Sequence, residues 1–183
     1  NAGGTITPVA TEIANVTTNP ATVNAGTFYA LRTVVTATVA AGATLTVGSG
    51  SAQAGVILNG GTIGAGNSSS IVAFGGAEGL IYTSAAGGTV AAKITGTAGL
   101  TKFGPGTLTL AGANTYTGTT SVNTGTLNVT GSTSTGGVNI YTQGALTGTG
   151  TIGGATTLNG FGVINLGTGG TIANNLTVYG GSW

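Results

Sequence analysis

The feature that most constrains this chain is internal repetition. A small turn residue is followed by Thr or Ala, then an aliphatic residue, often with a polar and a second aliphatic residue behind it. Copies include Ala43-Thr44-Leu45-Thr46-Val47, Gly61-Thr62-Ile63, Gly106-Thr107-Leu108-Thr109-Leu110 and Gly125-Thr126-Leu127-Asn128-Val129. Further copies are Gly144-Ala145-Leu146-Thr147, Gly150-Thr151-Ile152, Gly170-Thr171-Ile172 and Asn175-Leu176-Thr177-Val178. Alternation inside each copy puts every second side chain on one face, as in a strand. Self-similarity at a short fixed period is the signature of a solenoid, in which one coil cannot bury its own apolar face and stacked coils can.

The spacing gives the coil length. Leu45, Ile63 and Ile81 follow one another at an even step, and Leu108, Leu127, Leu146 and Ile164 repeat nearly the same step. We therefore expect a right-handed parallel β-helix with about 18–19 residues per turn and two columns of stacked aliphatics. Between Ile81 and Leu108 the phase slips, which predicts an irregular turn or loop there. Residues 1–25 differ, with Pro8 and Pro20 interrupting the pattern and a polar start at 1–5. They are expected to form an N-terminal cap or an extended arm that pairs with a neighbouring subunit, and residues 26–183 the solenoid. Residues 25–43, the most helix-compatible stretch, hold a Thr and Val run that favours strand.

Composition agrees with short strands and tight turns. The chain has 38 Gly among 183 residues and as many Thr, with only 3 Pro. That excludes collagen, which needs Gly at every third position and abundant Pro. Mean hydropathy of +0.42 with net charge +1 argues against disorder. Arg32, Lys93 and Lys102 are the whole cationic inventory, too few to neutralise a nucleic-acid backbone. No apolar run reaches the roughly 18 residues of a transmembrane helix. No signal peptide is visible at Asn1, so the chain reads as a mature form or an internal piece.

Residues 99–129 carry the most specific pattern. Leu100-Thr101-Lys102-Phe103-Gly104-Pro105-Gly106-Thr107-Leu108-Thr109-Leu110 is followed by Asn114-Thr115-Tyr116-Thr117-Gly118-Thr119-Thr120 and by Gly125-Thr126-Leu127. This resembles the autotransporter-associated β-strand repeat: a Leu-x-Lys-x-Gly-x-Gly-Thr-Leu-x-Leu strand, an Asn-x-Tyr-x-Gly-x-Thr turn and a Gly-x-Leu strand. The resemblance implies a right-handed β-helix, exported across a bacterial envelope, whose repeats are folding and stacking units without catalytic residues. It thus implies a secreted or cell-surface location. The sequence departs from autotransporters in showing no translocator barrel, which would read as segments of about ten residues with alternating polarity.

Site chemistry is scarce. Glu12 and Glu78 are the only carboxylates. A glycosidase sets two across a sugar, but Glu12 lies in the irregular start and Glu78 in a Gly-rich loop, so both read as surface or charge-paired residues. A triad lacks its His. Zinc lacks His and Cys, and calcium turns of the Gly-Gly-x-Gly-x-Asp type lack their Asp. Gly60-Gly61 and Gly75-Gly76 have no strand–loop–helix context for a phosphate. No catalytic, cofactor-binding or metal residue is therefore expected, and no cofactor.

Lys102 and Phe103 belong to the repeat, with Lys102 expected at a corner, its stem on the coil. Tyr116 is expected to pack. Tyr29, Tyr82, Tyr141 and Tyr179 are scattered, and their spacing does not support a sugar-binding strip. Sequons at Asn15, Asn67, Asn128 and Asn175 are as many as chance gives in a chain that is about a quarter Ser and Thr.

The leading functional expectation is a non-enzymatic extracellular structural protein. It would be a homo-oligomer or homopolymer that builds a fibre, filament, sheath or matrix through strand edges or end-to-end stacking. An adhesin or passenger stalk binding surface glycans or a host is the alternative, and a polysaccharide-active enzyme a remote third.

Overall fold

The computed structural model describes residues 4–19, 21–48 and 54–179. Every regular element among them is a strand, and the strands wind into a parallel solenoid of about eight turns. A full coil contributes one strand to each of three faces. Face one runs through Thr5–Ile6, Ala21–Val23, Thr36–Val39, Thr62–Ala65, Gly88–Val90 and Thr107–Leu110. It continues into the second halves of Thr120–Val129 and Val138–Gly148 and ends at Val163–Leu166. Face two stacks Gly26–Phe28, Thr44–Val47, Ile71–Ala73 and Lys93–Thr95, then thins to single bridges at Ala113, Ser132 and Thr151. Face three stacks Ile13–Val16, Ala30–Thr33, Ala54–Leu58, Gly79–Thr83 and Leu100–Phe103. It continues through the first halves of the two long strands to Thr156–Asn159 and Leu176–Tyr179.

The core is made by alternation. In Thr107–Leu110 the two Thr face out while Leu108 and Leu110 are fully buried. Leu108, Leu127, Leu146 and Ile164 stack in register, as the spacing predicts. Coils in this half are short, the next coil being reached from Leu146 at Ile164 and from Thr156 at Leu176.

The other expected column does not form. Leu45, Ile63 and Ile81 lie on faces two, one and three respectively. Their true partners are Val72 for Leu45, Val90 for Ile63, and Val56 and Lys102 for Ile81. After short first coils, as from Ile13 to Ala30 and from Ala21 to Ala37, the coils between Ala30 and Val90 are several residues longer, the next coil being reached from Val56 only at Ile81 and from Leu45 only at Val72. The corners here carry longer turns, such as the one after Ala65 held by Asn67 and Ser70. The strand motif therefore recurs on successive faces, and its spacing imitates a shorter coil. For the same reason there is no irregular loop between Ile81 and Leu108. That stretch holds Gly88–Val90, Lys93–Thr95 and Leu100–Phe103. The slip marks the point where coils shorten, from the long step Ile63–Val90 to the shorter step Val90–Leu110.

Near the N-terminus, Thr5–Ile6 pairs with Thr22–Val23, and Ile13–Val16 with Ala30–Thr33. Asn1 and Pro20, both singled out above, lie outside the described residues.

Glycine has a specific use where face two turns into face three. A Cβ on Gly118 would lie 2.7 Å from Gly99 Cα, one on Gly136 2.7 Å from Gly118 C, and one on Gly154 2.9 Å from Gly137 N. Each coil presses its backbone onto the one before, leaving no room for a side chain. Among the described residues no helix is long and apolar enough to cross a membrane.

Candidate functional site

The polar residues of segment 99–129 turn inward and bind backbone. Lys102 alternates with Leu100 on the inner side of its strand and is fully buried. Its Nζ donates to Gly104 O at 2.6 Å, Thr124 O at 2.8 Å and Phe103 O at 3.4 Å. Lys102 thus lies within the strand, not at the corner expected for it; its ammonium turns inward, reaches the carbonyls of the corner that follows and ties two successive coils together. Burial lowers its pKa from 10.5 to about 8. Asn114 is buried too; its Oδ1 accepts from Ile94 N and its Nδ2 donates to Ser132 O, both at 2.8 Å. One side chain thereby links three coils. Tyr116 packs as expected, with its hydroxyl 2.6 Å from Thr120 Oγ1, and burial pushes its pKa up to about 12.

The outer side of face three carries a different pattern. Asn15, Arg32, Ile57, Tyr82 and Phe103 are level with one another in successive coils. Lys102 is level with Val122, Val122 with Ile140, and Ile140 with Leu158. The residues that follow these, Phe103, Asn123, Tyr141 and Asn159, come next on the outer side of their strands; the register shifts by one residue after Val122, so that Tyr141 and Thr142 share the place opposite Asn123, and Asn159 is level with Tyr179. Phe103, Tyr141 and Tyr179 are 37%, 41% and 63% exposed. Tyr82 and Phe103 meet edge to face with ring centroids 5.4 Å apart. Beside them Gly55, Ile57 and Leu80 complete an apolar surface groove of about 460 Å³. The parallel row contains Leu80, Thr101, Ser121, Asn139, Thr157 and Thr177.

The two carboxylates stay apart. Glu12 precedes the first strand of face three and Glu78 the fourth. Three coils at ~4.8 Å separate them by about 14 Å along the axis, beyond the separation of a glycosidase pair. The Glu78 carboxylate accepts a hydrogen bond from the Thr101 hydroxyl. The Arg32 guanidinium donates to Asn15 Oδ1 at 2.7 Å. Among the described residues no three His, Cys, Asp or Glu gather where they would hold a metal.

Comparison with known families meets this geometry in the same segment. Residues 100–129 match the passenger-associated-transport-repeat. No curated protein and no solved structure matches the chain. The repeat and the solenoid that contains it fit an autotransporter passenger-like domain, secreted or displayed at a cell surface.

The marked positions of the passenger repeat now have physical roles. Lys102 and Asn114 replace backbone partners at corners where the ladder is interrupted, and Tyr116 fills the core beside them. Their chemistry is spent on folding, which is consistent with a non-enzymatic role. The aromatic row lies mostly outside the repeat. Phe103, Tyr141 and Tyr179 recur at equal steps of 38 residues, two coils each, a signal visible only when the Phe is counted together with the two Tyr; Tyr82 stands off that step and is aligned by the strand register.

Proposed function

We propose that the chain is a non-enzymatic structural module of an exported passenger-like protein, a solenoid that self-associates through strand edges or coil-on-coil stacking into a surface fibre, sheath or matrix. One observation carries this reading. Among the described residues, successive coils stack in register through parallel ladders on three faces, over a continuous apolar core. The same ladder and core can accept a coil or strand edge of a second copy. Near-zero net charge does not oppose association. Light scattering of the purified chain over a wide concentration range tests this. The expected result is a mass that grows with concentration; a constant monomer mass overturns it.

A second reading is a stalk that binds surface glycans or a host. The exposed aromatic row on face three favours it.

A further inference from the structure

We propose that the aromatic row of face three binds an extended, uncharged polysaccharide laid along the solenoid axis. This deepens the second reading and rests on it.

The outward residues after Lys102, Val122, Ile140 and Leu158 are Phe103, Asn123, Tyr141 and Asn159, with a one-residue bulge opposite Asn123, and Asn159 is level with Tyr179. Aromatic rings therefore recur at every second coil, about 9.6 Å apart at ~4.8 Å per coil. That is close to the length of two sugar rings in an extended chain. A sugar ring has one apolar face of C–H groups, which an exposed aromatic ring covers, and an equatorial rim of hydroxyls. The Asn amides between the rings carry both donors and acceptors; Asn159 Nδ2 gives one of its two hydrogens to Ile140 O at 3.4 Å and keeps the other and Oδ1 for that rim. The adjacent row adds Ser121, Asn139, Thr157 and Thr177 at the same heights. The groove bounded by Ile57, Leu80, Tyr82 and Phe103 extends the apolar track by two coils, through Tyr82 to Ile57.

Charge and area select the occupant. From Tyr82 to Tyr179 neither row contains an ionisable group of either charge apart from the Tyr hydroxyls; the one charge touching the track, the Glu78 carboxylate bonded to the Thr101 hydroxyl, is negative. Arg32 lies two coils beyond Tyr82 and is engaged by Asn15. An anionic chain would find no partner along the track. A folded protein partner or a second copy needs about 800 Å² on each side. The exposed portions of four aromatic side chains supply roughly 300–400 Å². A single polymer strand fits that narrow, long and neutral surface.

The test is calorimetric titration of the intact chain with hexamers and dimers of β-1,4-linked glucose, N-acetylglucosamine and mannose, and with polygalacturonate. At least one neutral hexamer is expected to bind, and its dimer to bind at least tenfold more weakly because it reaches one ring only. Tyr141→Ala should weaken hexamer binding by about tenfold. Tyr141→Phe should bind like the parent, and so should Tyr29→Ala, an exposed ring outside the row. Far-ultraviolet circular dichroism of each variant separates loss of a ring from loss of fold. Equal binding by Tyr141→Ala and Tyr179→Ala would overturn the proposal. Preference for polygalacturonate would overturn the uncharged class while leaving a glycan-binding stalk standing. Absence of binding to any of these sugars would overturn both.

Discussion

Replacing Gly136 by Ala, with Gly137→Ala beside it as the reference, probes the coil stacking most sharply. Neither glycine has positive φ, so the comparison isolates space from backbone conformation. At Gly136 the added methyl would lie 2.7 Å from Gly118 C and 2.9 Å from Thr117 O, and closer still to Gly118 O. At Gly137 its nearest neighbour is Ala155 O at 3.4 Å, an ordinary contact. To accommodate the first methyl, two coils must separate by ~1 Å against a stack about 4.8 Å deep. Nearby bonds resist this: Thr120 N to Gly137 O and Val138 N to Ala155 O, both 2.8 Å. Overpacking costs about 1–3 kcal/mol, and each stretched ladder bond about 1 kcal/mol. The expected destabilisation of Gly136→Ala is about 3 kcal/mol. Gly137→Ala should range from neutral to about 1 kcal/mol stabilising, because it stiffens the unfolded chain. Urea titration followed by circular dichroism reads both. Equal midpoints would refute the close-packed glycine corner.

Other outcomes follow from single groups. Thr156 Oγ1 is buried without a hydrogen-bond partner, so Thr156→Val should stabilise the chain by about 0.5–1 kcal/mol in the same assay. Lys102 has a folded pKa of about 8 against 10.5 unfolded. Between those values the unfolded chain binds a proton that the folded chain has released. Stability should therefore rise with pH from about 8 towards 10, and the gain should be lost as pH falls back through 8. The urea midpoint of Lys102→Met should lack this rise, whatever its absolute value. Above pH 10 the raised pKa of Tyr116 acts in the opposite direction, which sets the upper limit of the useful window.

Much of the fold was legible because alternation and turn residues are local signals. The column Leu108–Leu127–Leu146–Ile164 could be read directly, since each coil there carries the motif once. The earlier column failed because period alone does not say which face a strand joins. Leu45, Ile63 and Ile81 keep an even step while lying on three different faces. For Lys102 a corner nearby was legible from Gly104-Pro105-Gly106, but its place inside the strand and its inward turn were not. An aliphatic–Thr–Lys alternation places Lys on the same side as Leu100, and that parity overrides the preference of an ammonium for water only because three carbonyls receive it. The aromatic row was legible in part: Phe103, Tyr141 and Tyr179 recur every 38 residues, two coils each. What the step does not give is that they face outward on one face, and Tyr82 joins them only through the ladder.

Disulfide trapping tests the parallel, uneven coil most directly, because the chain contains no cysteine of its own. Thr46 is level with Ala73 in the next coil. Neighbouring strands bring their Cα atoms to about 4.8 Å, within the reach of a disulfide. The double variant T46C/A73C should close nearly completely on mild oxidation, read by mass spectrometry. T46C/G64C, whose separation matches the apparent period, should remain reduced. Closure of the second pair with failure of the first would contradict the register on which this account of the solenoid and its outer faces depends.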